Sequence, residues 1–155
     1  MESEQMYGDK GEVPEEEYLI PIGESEVKIE GKDVTIVSFG KILKEAVKAI
    51  EELKKDNVSA ELIDLRTIRP LDIDTILKSV KKTNRLVILE ESWPFGNIST
   101  EITYQVQNSA FDYLDAPIEK INTADTPAPY SPVLLNEWLP NHQDVIKAIN
   151  KVMYR

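Results

Sequence analysis

Between Leu62 and Pro94 the chain reads LIDLRTIRPLD, then IDTILKSVKKTN, then RLVILEESWP. An apolar strand is followed by a helical segment whose Ile73, Ile76, Leu77 and Val80 share one side, then by a continuously apolar run at Leu86–Leu89. Two strands joined through one helix run parallel, because only a crossover of that length returns the chain to the same end of a sheet. A run without polar alternation needs apolar cover on both faces. This stretch therefore commits the chain to a layered α/β architecture, and it carries no recognisable catalytic constellation. The combination fits a part of a larger enzyme better than a complete one.

The flanking sequence extends the pattern. SEVKIEGKDVTIVSFG holds two alternating runs around Gly31 and Lys32, predicting a hairpin that enters an inner strand at Val34–Phe39, with one edge strand antiparallel. From Lys41 the spacing becomes helical, with Ile42, Leu43, Ala46, Val47, Ile50 and Leu53 forming one stripe. Asp72 and Asn97 stand where N-caps belong, and Asn141 with Asp144 three residues on has the form of a cap before a last helix. PIEKINT supplies a further strand, and Pro127, Pro129 and Pro132 interrupt regular structure. The predicted fold is a three-layer α/β domain over 19–155, with about five strands, mostly parallel, one antiparallel edge and helices on both faces. Residues 1–18, acidic and without apolar period, read as a linker or arm.

Charge narrows the partners. With 28 acidic against 18 basic residues and a formal net charge of -10, the chain repels phosphate backbones and anionic lipid surfaces; neither a nucleic acid nor a membrane fits, and a basic protein does. No run is apolar over the roughly 20 residues a bilayer requires, so a soluble, intracellular chain is expected, in the cytoplasm or an organelle matrix. Zero cysteines exclude disulfides, cysteine zinc sites and thiol catalysis.

Each chemical candidate meets a plainer structural reading. The first inner strand ends in Ser38-Phe39-Gly40 with neither a G-x-G-x-x-G nor a Walker lysine loop, which argues against a nucleotide site. Glu90 and Glu91 close a buried strand but alternate in direction, so they do not pair as acid and base; a solvated or ion-paired strand end is expected. Arg66 and Arg69 in RTIRP suit structural pairing more than anion chemistry. His142, the single histidine, reads as a surface or helix-start residue. Ser131 reads as a turn or helix-start residue, and Trp93 and Trp138 as core anchors, with Trp93 also placed to reach another domain.

GEVPEEEYLIPIG, GKDVTIVSFG, AELIDLRTIRPLDIDTI, SVKKTNRLVILEESWP, FDYLDAPIEKI, TADTPAPYSP and EWLPNHQDVIKAINKVMYR, taken in order, resemble the C-terminal half of the beta-subunit family of pyruvate dehydrogenase. The resemblance implies a transketolase-type C-terminal domain, whose complete enzyme has two alpha and two beta subunits. That enzyme decarboxylates pyruvate on thiamine diphosphate with magnesium and acetylates the lipoyl group of an acetyltransferase. It further implies that this half alone is inactive and holds no cofactor or metal of its own, the cofactor-activating glutamate belonging to the other domain. Its expected roles are assembly with the alpha subunit and a second beta subunit, and docking of the acetyltransferase's peripheral subunit-binding domain. The docking residues it implies are Asp115, in Leu114-Asp115-Ala116-Pro117, and the terminal carboxylate of Arg155. A branched-chain 2-oxoacid dehydrogenase and an autonomous small-ligand α/β protein remain the alternatives.

Overall fold

The computed structural model describes residues 6–155. Five strands, β1 (Glu26–Ile29), β2 (Val34–Ser38), β3 (Ala60–Asp64), β4 (Leu86–Leu89) and β5 (Glu119–Ile121), form one sheet in the order β1-β3-β2-β4-β5. The β2–β3, β2–β4 and β4–β5 pairs are parallel and β1–β3 is antiparallel. Alternation along the strands divides the interior. Ile36, Leu62 and Val87 face α1 (Leu43–Leu53) and α5 (His142–Val152), while their neighbours Val37, Ile63 and Ile88 face α2 (Ile73–Thr83) and α3 (Ile98–Ala110). The predicted three-layer mixed sheet is therefore present.

Local chemistry starts the helices where the sequence placed them. The Asp72 carboxylate accepts from Thr75 N at 3.2 Å and from Ser25 N at 2.9 Å, so one side chain caps α2 and anchors the segment entering β1. Asn97 accepts from Thr100 N at 3.0 Å at the head of α3. Asn141 and Asp144 make a reciprocal capping box on α5.

The predicted hairpin is not formed. β1 lies on the far side of β3, so residues 30–33 cross the start of β3 instead of folding β1 back on β2. The amides of Lys32 and Asp33 both donate to Ser59 O at 2.9 Å, and the Asp33 carboxylate accepts from Ser59 N at 2.7 Å. Gly31 permits the crossing: a Cβ there would stand 2.2 Å from both Ala60 C and Glu61 N. Alternation around a glycine marks two strands and a bend, but does not say which strand each joins.

Pro132 also behaves differently from the expectation of an interruption. It occupies the first turn of a short helix, α4 (Pro132–Trp138), with Ser131 at its N-cap position. An N–H missing at that position leaves no helical hydrogen bond unmade.

Candidate functional site

Asp115 stands just before β5 in a loop held by its backbone on both sides. Its N–H donates to Asn84 O at 2.9 Å, and its carbonyl accepts from the Tyr154 hydroxyl at 3.1 Å. Asn84, left-handed with φ 62°, ends α2, and its side-chain amide donates to Tyr113 O at 2.8 Å. The next residue, Arg85, sends its guanidinium to three separate segments. Nε donates to Val152 O at 3.1 Å, Nη1 to Asp33 O at 3.4 Å, and Nη2 lies 3.2 Å from Asp115 Oδ2. The Asp115 side chain is nevertheless 56% exposed, so its carboxylate remains reachable.

Of the two residues that the resemblance implies for docking, Asp115 is thus joined through its carbonyl to Tyr154, the residue before Arg155. Their electrostatic settings differ. Asp115 presents an anion backed by Arg85, whereas Arg155 lines an open depression of about 530 Å³ together with Lys147 and Lys151. Lys151 pairs with Glu119 at 2.7 Å. Neither Arg85 nor Tyr154 stands out in the sequence, because their contacts span 30 to 67 residues.

Glu90 overturns its expected setting. It is fully buried at the end of β4, neither solvated nor ion-paired. Its carboxylate accepts from Ser99 N at 2.9 Å, from the Ser92 hydroxyl and, at 3.4 Å, from Asn122 Nδ2. Burial pushes its pKa above the ordinary carboxylate value, against the pull of the Ser92 and Ser99 hydrogen bonds and of nearby Lys120. Lys120 itself bonds Pro94 O and Thr100 Oγ1. Glu91, one residue on, is exposed, as alternation requires. Glu90 therefore fastens the loop after β4 to the N-terminus of α3.

The tryptophans are not core residues. Trp93 is 54% exposed and Trp138 partly so, and both indole N–H groups donate to one carbonyl, Thr126 O, at 2.9 and 2.8 Å. An indole that gives its N–H to an outer loop carbonyl stays at the surface with it. Phe95, 91% exposed, and Val133 and Leu134 are also at the surface, and Leu134 lines a depression together with Trp138. Arg66 pairs with Glu26 at 2.7 Å, a structural contact. His142 begins α5, its N–H donating to the Glu45 carboxylate at 3.0 Å and its ring 3.4 Å from the same group.

Thiamine diphosphate and magnesium require a diphosphate cradle and converging oxygen or nitrogen ligands. Among the described residues no three His, Asp or Glu side chains gather at metal-ligand spacing.

Residues 23–145 match the family model for the transketolase C-terminal domain. The chain belongs to that family. Transketolase C-terminal domain relatives include a pyruvate dehydrogenase E1 component subunit beta from Rickettsia felis, 49% identical over 154 residues, which are 99% of this chain and 47% of that protein. The mitochondrial pyruvate dehydrogenase E1 subunit beta of Dictyostelium discoideum is 46% identical over 159 residues, covering 100% of this chain and 45% of that protein. The beta subunit of an acetoin:2,6-dichlorophenolindophenol oxidoreductase from Cupriavidus necator is 43% identical, covering 98% and 45%. Among solved structures, a split-gene transketolase described as an inactive beta4 tetramer superposes with a TM-score of 0.78 at 25% identity, over 87% of this chain and 44% of that one. The chain thus spans about half the length of its relatives.

Proposed function

We propose that this chain is the assembly and docking domain of a pyruvate dehydrogenase E1 beta subunit. In the complete enzyme, pyruvate is decarboxylated on thiamine diphosphate with magnesium and the acetyl group passes to the acetyltransferase's lipoyl group; this domain holds neither cofactor and does not catalyse alone. Residues 1–18 form the linker to a pyrimidine-binding domain. The pyruvate reading has more support than the branched-chain one, since relatives at 49% and 46% identity carry the pyruvate name over the whole chain. The bacterial and mitochondrial relatives fit the cytoplasm or the mitochondrial matrix, and no helix among the described residues is long and apolar enough to cross a membrane.

The assembly role, with an alpha subunit and a second beta subunit as partners, is supported by exposed large apolar side chains, Trp93, Phe95, Val133 and Leu134 among them, since exposed apolar surface favours protein contacts. The docking role rests chiefly on one observation: Asp115, its carboxylate half-exposed, lies beside the last turn of the chain, its main-chain carbonyl accepting from the Tyr154 hydroxyl. Its partner is the basic peripheral subunit-binding domain of the acetyltransferase, which the anionic chain attracts. The test is calorimetric titration of that domain into the assembled enzyme. Asp115→Ala is expected to weaken binding by about 1 to 3 kcal/mol, the effect of truncating an interfacial charge. Unchanged affinity at moderate salt would remove Asp115 from the site.

A further inference from the structure

We infer that Arg85 is the positioning residue of the Asp115 surface: its guanidinium fixes the carboxylate against the end of α5 and the start of β2, so that Asp115 meets a second, incoming cation in one geometry. The inference rests on the docking role proposed for Asp115, and names what prepares that residue.

Arg85 is mostly covered, with 26% of its side chain exposed, and its planar fork reaches three segments far apart in sequence. Val152 closes α5, and a carbonyl in the last helical turn has no partner within the helix; the Arg85 Nε–H supplies one at 3.1 Å, placing a cation at the negative end of the helix dipole. The contact from Nη1 to Asp33 O, at 3.4 Å, ties the same group to the residue preceding β2. With two of its three directions spent on backbone, the third is held toward Asp115 Oδ2 at 3.2 Å. The main chain of Asp115 is meanwhile clamped by Asn84 O and the Tyr154 hydroxyl, so the remaining freedom is rotation of the carboxylate, and Arg85 removes it.

A carboxylate has lone pairs for more than one cation, and Asp115, at 56% exposure, keeps room for a second. The surface therefore suits a partner that approaches with an arginine or lysine and completes a cation-carboxylate-cation arrangement. Two effects of Arg85 oppose each other there. Its positive charge repels the arriving cation, while its fork removes the entropy that an unrestrained carboxylate loses on binding. The geometry points to the second effect as the larger, because two backbone carbonyls hold the fork still and disperse its charge.

Lysine retains the charge and loses the fork, whereas methionine loses both. In the full-length subunit assembled with its partner subunits, Arg85→Met and Arg85→Lys are each expected to weaken binding of the acetyltransferase's peripheral subunit-binding domain by about fivefold or more, roughly the effect of one lost orienting contact. In an Asp115→Ala background neither is expected to weaken it further, an absence that a general loss of structure does not produce. Binding that is unchanged or tighter in Arg85→Met, while Asp115→Ala still weakens it, would overturn the positioning role and leave Arg85 as a competing charge. Full loss from Arg85→Lys in the Asp115→Ala background would also overturn it. Should Asp115→Ala alone have no effect, the docking role of Asp115 falls, and the inference with it. Should Arg85→Met fail to assemble, Arg85→Lys and its double variant decide the matter by the same comparison.

Discussion

Replacing Gly31 with alanine tests the crossing of β1 over β3. The added Cβ would lie 2.2 Å from Ala60 C and Glu61 N and 2.6 Å from Ala60 O, all backbone atoms of a strand paired on both sides. Ordinary contact begins at 3.4 Å, so the connector must retreat by roughly 1 Å. That movement strains the bonds from Lys32 N and Asp33 N to Ser59 O and from Gly31 N to Glu61 Oε2. Overpacking against rigid neighbours costs about 1 to 3 kcal/mol, and the three weakened hydrogen bonds together about 1.5 more. Reduced freedom of the unfolded chain returns about 0.4 to 1 kcal/mol, leaving a net loss of about 3 kcal/mol. With a urea slope of about 2 kcal/mol/M for a chain of this size, the midpoint in far-UV circular dichroism should fall by about 1.5 M. In a simple β1–β2 hairpin the same substitution would meet open space, and a loss below about 0.5 kcal/mol would refute the crossing.

Glu90→Gln should become progressively more stabilising, relative to the parent chain, as pH rises from the ordinary carboxylate value of 4.5. The raised pKa of Glu90 makes the folded state bind its proton more tightly than the unfolded state, so stability falls as pH climbs through the folded value; parallel stability curves for the two chains between pH 4.5 and pH 8 would contradict this. Glu61 has the opposite sign. Burial opposes its ionisation, but the Lys82 ammonium, the Ser79 hydroxyl and the Gly31 amide outweigh burial and hold its carboxyl below the usual value. Its stabilising contribution is complete above 4.5 and is lost as pH falls through the folded value. Lys82→Met should therefore cost about 2 kcal/mol at pH 7, less than a fully buried pair because Lys82 is partly exposed, and the cost should shrink in acid. A pH-independent difference in urea midpoints would show that the pair does not carry it.

Much of the architecture is legible along the chain because its causes are local. Asp72, Asn97 and Asn141 cap helices through bonds to amides two or three residues away, and the apolar stripe of α1 repeats within each turn. The continuous Leu86–Leu89 run required cover on both faces, and both cores supply it. The family resemblance brought Asp115 and Arg155 forward as docking residues, but not the residues around them.

Features that depend on which segments meet could not be read in this way. The partner of β1 follows from a crossing against Ala60 and Glu61, not from the alternation of Val27 and Ile29. Thr35 looks like an ordinary strand residue until Ser79 and Thr83, 44 and 48 residues away, each place a hydroxyl 2.6 Å from its own. Glu90 owes its burial to α3 and Asn122, and Trp93 and Trp138 owe their surface position to one shared carbonyl. Arg85 draws Asp33, Asp115 and Val152 together over separations of 52, 30 and 67 residues. Helix caps and strand periods are set by groups a few bonds apart; the environment of a carboxylate or an indole is set by whatever the packed chain brings beside it.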